Sequence, residues 1–296
     1  MKSYAVAALA ATAAYAAPVQ NAKRAATDAD ILNYALTLEH LEATFYKEGL
    51  QNYTQADFVA AGFADPFYAN LVEVAKDEAT HVSFLTSALS AAGATPVAAC
   101  TYGFPATDAK SFVALASVLE GVGVSAYLGA AASIADKDYL TAAGSILTVE
   151  SRHNAYIRAA LTESPFPQPF DDPLSLNEIY TLAAPFFASC PSTNPSLPVK
   201  AFPALSVTTA GPLKTNQTIT LAVDTTTYMP PAGTPVFAAF ITVTGPIYVE
   251  ITSVYAGFSV MVPEGVEGQS YVVLTMSNTS VSDDNTLAGP AIIEIE

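Results

Sequence analysis

Two stretches of this 296-residue chain repeat one arrangement of groups that could do chemistry. Glu39 has Leu38 before it and Tyr46 seven residues on, and Glu120 has Leu119 and Tyr127 at the same offsets. Each unit is followed by a Glu-x-x-His, first Glu78 with His81 and then Glu150 with His153. On a helix, positions three apart share a face, so each such pair offers a carboxylate and an imidazole to one point. A lone Glu from each of two helices and a Glu-x-x-His from each of two others make the ligand set of a dinuclear iron or manganese centre in a four-helix bundle. Glu39 and Glu120 would be terminal ligands and Glu78 and Glu150 bridging ones, with His81 and His153 completing the two shells.

The chain has three histidines, and two of them fall in these units. The third, His40, is rotated away from Glu39 and is expected to face solvent. Unpaired buried carboxylates cost several kcal/mol each or take up protons. No Lys or Arg lies three or four residues from any of the four glutamates. Two solutions remain: two divalent cations, or protons shared among the carboxylates, Tyr46 and Tyr127. Glu42 is an alternative or additional ligand, being one helical turn from Glu39. The repeat favours Glu39, because Gly123 stands where a second Glu42 would be. Tyr46, Tyr127 and Tyr156 lie one or two turns from ligands, where they would pack in the core or hydrogen-bond the ligand carboxylates.

The elements that must position these groups can be read from caps and apolar periodicity. The first helix starts near Thr27, with Asp30 closing a capping box, and Gly49 is its expected stop. Residues 50–64 read as a loop, and a second helix runs from Asp65-Pro66 to about Gly93. A third is capped by Thr107 or Asp108, and a fourth by Asp136, which Pro165, Pro167 and Pro169 end. Ser175 and Glu178 form the capping box of a short fifth helix. Composition then changes: a proline-rich linker is followed by strand-like runs at 203–208, 217–223, 235–243, 247–253, 257–262, 270–276 and 290–295. Such spacing is that of a β-sandwich of immunoglobulin-like size. The expected division is 1–24, a signal peptide and pro-segment; 25–190, the helical bundle; 191–201, a linker; and 202–296, the sandwich.

Met1-Lys2-Ser3 and the apolar, Ala-rich run to Ala17 read as a secretory signal, and Lys23-Arg24 as a dibasic processing site or an ordinary charged pair. Without residues 1–24 the chain keeps 8 basic and 27 acidic side chains, a formal charge of −19. That balance argues against nucleic acid or an anionic membrane as partners. Later apolar runs are interrupted by charges or prolines, so no membrane span is expected. Asn52, Asn216 and Asn278 head glycosylation sequons. Cys100 and Cys190 would form a disulfide in an oxidising compartment, or remain as buried thiols. A secreted, extracellular or cell-wall location follows.

Over residues 28–162 the chain resembles the secreted Ferritin_2 branch of the ferritin-like proteins, which includes plant desiccation-related, fungal stress-response and fungal late sexual development proteins. The likeness rests on Ile31-Leu32-Asn33-Tyr34-Ala35-Leu36-Thr37-Leu38-Glu39, Phe45-Tyr46, both Glu-x-x-His units and Glu120. Ala288-Gly289-Pro290-Ala291-Ile292-Ile293-Glu294 and the surroundings of both cysteines resemble the fungal developmental proteins. The resemblance implies an antiparallel bundle with a di-metal carboxylate site, and chemistry with peroxide, oxygen or metal ions. The competing expectation is a non-catalytic developmental or stress protein of the cell surface. In it the bundle is a scaffold and the sandwich binds a wall polymer or an extracellular protein.

Overall fold

A computed structural model describes residues 26–223, 233–254 and 257–296. The expected leader and pro-segment, residues 1–24, lie outside these.

Helix α1 (Asp28–Asn52) opens on the expected capping box of Thr27 and Asp30. It runs through Gly49, which does not end it. Gly49 is there for close packing, since a Cβ would lie 2.0 Å from a ring carbon of Phe112. The segment expected to be a loop holds a short helix, α2 (Gln55–Ala60), with its own box of Thr54 and Asp57. Helix α3 (Phe67–Ala91) follows Pro66, and Gly93 turns the chain away at φ 72°. Helix α4 (Ala109–Ala130) is capped by Asp108, α5 (Lys137–Ala160) by Asp136, and α6 (Leu176–Ala183) by Ser175 with Glu178. The four long helices pack as the pairs α1–α3 and α4–α5, with α1 also against α4 and α3 against α5.

A small pair of strands, β1 (Thr101–Tyr102) and β2 (Phe187–Ser189), was not legible in the sequence. Beside it Cys100 and Cys190 form a disulfide, which ties the α3–α4 connection to the chain beyond α6. Among the described residues, eight further strands form two four-stranded antiparallel sheets. One has the order β10 (Thr286–Ile295), β9 (Gly268–Thr275), β5 (Phe237–Phe240), β6 (Ile247–Glu250). The other runs β3 (Leu205–Val207), β4 (Thr218–Val223), β8 (Gly257–Met261), β7 (Thr252–Val254). The run 247–253, read as one strand, is two strands that change sheet at Ile251. Ile219, Leu221 and Val260 from one sheet share a core with Phe240, Val272 and Ile293 from the other.

The helical and β-rich regions are fastened together. Tyr34, Val122 and Ile179 pack in one cluster with Ala239, Tyr271 and Val273. Arg158, 2% exposed, forks onto both carboxylate oxygens of Glu294 at 3.0 and 2.7 Å. Nor is the proline-rich linker free: the Lys200 and Phe202 amides donate to Asn177 and Thr181 of α6.

Contrary to the expectation from sequence, one apolar stretch of the described residues, Ala109–Ser133, is long enough to cross a bilayer. It is α4 with the turn after it, and 72% of its apolar window is buried inside the protein. Its hydrophobicity is that of a central core helix.

Candidate metal centre

Each ligand unit of the sequence falls on its own long helix: Glu39 on α1, Glu78 and His81 on α3, Glu120 on α4, Glu150 and His153 on α5. All six side chains are buried and converge. Their ligand atoms form two clusters, Glu39–Glu78–His81–Glu150 and Glu78–Glu120–Glu150–His153, each with its atoms within 4.8 Å of one another. Glu78 and Glu150 belong to both. The two clusters are thus contiguous and meet at these two carboxylates.

His81 Nδ1 lies 3.3 Å from Glu39, 3.5 Å from Glu78 and 3.3 Å from Glu150. His153 Nδ1 lies 3.0 Å from Glu78 and 3.4 Å from Glu120. Yet both nitrogens, and oxygens of all four carboxylates, are buried without a hydrogen bond. Lone pairs aimed at one another around a common point cost several kcal/mol each when nothing sits between them. The donor set of four carboxylates and two imidazoles could therefore hold metal ions.

Titration tells the same story. Burial, opposed by His81 and helped by Glu78, pushes the Glu39 carboxyl up to about 7. Burial also raises Glu120 and Glu150. Burial pulls the imidazoles down, but the carboxylates outweigh it and hold His81 up at about 12 and His153 at about 11. Without a cation the cluster gathers protons to replace the missing positive charge.

The two tyrosines of the repeat bind across it. Tyr46 of α1 donates to Glu120 Oε1 of α4, and Tyr127 of α4 donates to Glu39 Oε1 of α1. Burial first, then the facing glutamates, keeps both phenols protonated well above their usual range. Tyr156 does not join them: its hydroxyl accepts from Asn70 and its ring stacks on Phe67. His40 is half-buried rather than solvent-facing, with Nε2 3.1 Å from the Val97 carbonyl oxygen.

Glu42 is buried beside the cluster but belongs to neither set of ligand atoms. Burial and the charges of Glu150, Glu78, Glu39 and Glu120 raise its carboxyl well above the usual range. Gly123 makes room for it: a Cβ there would lie 3.0 Å from both Glu42 Oε1 and Glu150 Oε2.

Two features of the site had no sequence reading. His153 Nε2 lies 3.1 Å from Asp77 Oδ2, so its proton donates to that carboxylate, while Nδ1 faces Glu78 and Glu120. The matching position before Glu150 is Val149, so His81 has no such partner. An acidic residue directly before Glu78 was the available signal. Helix α4 is also gripped from outside, with Tyr271 donating to the Gly121 carbonyl at 3.0 Å and Gln269 to Val118 at 3.2 Å. A Cβ on Gly121 would strike Gln269 at 2.6 Å.

With this geometry in hand, comparison with known proteins gives a family. Residues 27–163 match the Ferritin_2 family, described as a ferritin-like domain. That match covers just under half of the chain and falls on the helical region. Protein rds1 of Schizosaccharomyces pombe is 28% identical over 192 residues, covering 64% of this chain and 46% of the relative. This chain thus spans about half the length of that curated relative. A solved structure of a conserved hypothetical protein from Mycobacterium tuberculosis is 20% identical with a TM-score of 0.38, over 48% of this chain and 96% of that one. The buried Glu and His cluster lies wholly within the matched ferritin-like domain.

Proposed function

We propose that the ferritin-like domain is an antiparallel four-helix bundle holding two iron or manganese ions. In this reading the protein handles oxidants, oxygen or metal ions outside the cell during development or stress. The observation that carries it is the pair of buried ligand clusters sharing Glu78 and Glu150. Bound there, two such ions would supply one-electron chemistry at two adjacent positions. Glu39 with His81, and Glu120 with His153, would hold one ion each. Tyr46 and Tyr127 orient the terminal carboxylates and keep a proton beside them. Asp77 fixes the tautomer of His153. Burial of the whole set excludes bulk water.

The domain reading is 25–190 for the bundle, 191–201 for the linker and 202–296 for an immunoglobulin-like sandwich built from the two sheets. Export through a signal in 1–24 is supported by the disulfide, which is consistent with an oxidising compartment, and by the exposure of Asn52, Asn216 and Asn278. A scaffold role with a wall polymer or extracellular protein as partner has its own support. Phe166 and Phe170 are 81% and 60% exposed beside a polar cleft at the junction of the two regions, lined by Asp171, Asp172 and Gln269.

Metal analysis of the purified secreted chain decides between the two. Two equivalents of iron or manganese per chain are expected; none after reconstitution would leave the scaffold reading. N-terminal sequencing of the secreted chain should begin near Ala17–Val19 or after Arg24, and an intact Met1 would end the export reading.

A further inference from the structure

The buried centre has two edges of opposite character. On the α3–α5 side, His81 and His153 have side chains 10% and 8% exposed, and Asp77 beside His153 is 53% exposed. That edge is polar and reaches the surface at Asp77. On the α1–α4 side the centre borders an apolar cavity of about 100 Å³, walled by Leu38, Leu41, Val122, Leu182, Ala183 and Ile292. Glu42 and Gly123 line the same cavity. Gly123 is also the residue whose missing Cβ leaves Glu42 and Glu150 their space, so cavity and centre meet at one backbone position. The rim residues Leu38, Leu182 and Ile292 are only half-buried, which places the outer end near the surface between α1, α6 and β10.

A cavity this size lined by aliphatic groups does not hold water well. An engineered apolar cavity of ~150 Å³ stays dry and takes benzene or xenon. Water or hydrogen peroxide would need two or more polar partners, and the only charged group on the wall is Glu42. A small uncharged apolar molecule meets neither penalty. Resting on the dinuclear reading above, we propose that this cavity is the antechamber through which dioxygen reaches the centre. Polar solutes use the Asp77 edge. The Glu42–Gly123 gap is the inner door, and a side chain at position 123 would close it.

Crystals of the metal-free chain pressurised with xenon test the cavity without any bound metal. Xenon is expected between Leu41, Val122 and Ala183, and should be absent in Ala183→Leu, whose added carbons fill the space. Leu182→Phe is the second blocking variant should Ala183→Leu fail to fold. Metal content, read separately, reports on the dinuclear centre itself, so loss of that reading and loss of this one are distinguishable.

A kinetic arm uses the chain loaded with two Fe(II). Dioxygen takes one electron from each Fe(II) and two protons from water and leaves as hydrogen peroxide. Hydrogen peroxide as oxidant takes the same electrons and protons and leaves as two waters. The blocking variants should slow oxidation by dioxygen at least about tenfold, the effect of ~1.4 kcal/mol of added barrier, and leave oxidation by hydrogen peroxide unchanged. Gly144→Ala, which adds a methyl group to α5 where nothing lies within 4 Å, should leave both rates unchanged. No xenon in the wild-type cavity, or equal slowing of both oxidants by the blocking variants, would overturn the proposal.

Discussion

The buried cluster makes the metal-free and metal-loaded chains respond to pH in opposite directions. Glu39 is fully buried and its carboxyl is raised from 4.5 to about 7 in the folded state. A raised folded pKa gives stability that is fully present below the unfolded value and is lost as pH climbs through the folded one. Between about pH 4.5 and 7, then, the metal-free fold weakens, the reverse of ordinary acid denaturation. At ~1.4 kcal/mol per pKa unit, Glu39 alone contributes roughly 3 kcal/mol across that window. For a chain this long, nearer 2 than 4 °C per kcal/mol, this is roughly a 6 °C fall in Tm. His81 and His153, held at about 12 and about 11, add the same sign above pH 6.5, where the unfolded imidazoles lose protons and the folded ones keep them. Cation binding needs deprotonated ligands and strengthens as pH rises. The gap in Tm between chelator-treated and manganese-loaded protein should therefore widen steadily from pH 5 to 7.5 in calorimetry. Glu39→Gln should flatten the chelator curve. A metal-free Tm that rises with pH over this range would refute the reasoning, because it would mean the carboxylates are not held together out of water.

Glu120→Ala and His153→Ala should each lower bound metal as measured by elemental analysis, whereas Glu73→Ala, an exposed residue paired only with Lys76, should not. Gly49→Ala should cost about 1–3 kcal/mol in denaturant titration, because its Cβ would lie 2.0 Å from Phe112. Gly144→Ala, also within a helix but with nothing within 4 Å of a new Cβ, should stabilise by about 0.5–1 kcal/mol. Non-reducing peptide mapping should recover Cys100 linked to Cys190, and replacing both with Ser should cost about 2–5 kcal/mol.

The converging Glu and Glu-x-x-His units were legible because such groups leave a periodic trace in a helix: Glu-x-x-His fixes both on one face whatever the rest of the fold does. Caps at Thr27, Asp136 and Ser175 were equally readable, each being a local hydrogen-bond pattern, and Asp108 was one of two candidates. What sequence could not supply was contact between distant segments. Gly49 resembles a helix stop until Phe112 is seen against it. Tyr156, like Tyr46, lies one or two turns from a site glutamate, yet its hydroxyl meets Asn70 instead. The split of 247–253 between two sheets depends on which strands lie alongside, and nothing within those residues records it. In sequence Asp77 is only an acid next to Glu78, and its role depends on where α5 places His153.

The grip of β9 on α4 also sets an order of events during synthesis. Gln269 and Tyr271 hold the carbonyls of Val118 and Gly121, on either side of Glu120, and β9 is itself paired along β10, which ends at Ile295. Until β9 has been made and paired with β10, the helix carrying Glu120 has no outer brace. The buried cluster is thus completed in whichever compartment the β-rich region folds. The ions available in that compartment, rather than those met by the emerging helices, would then fill it.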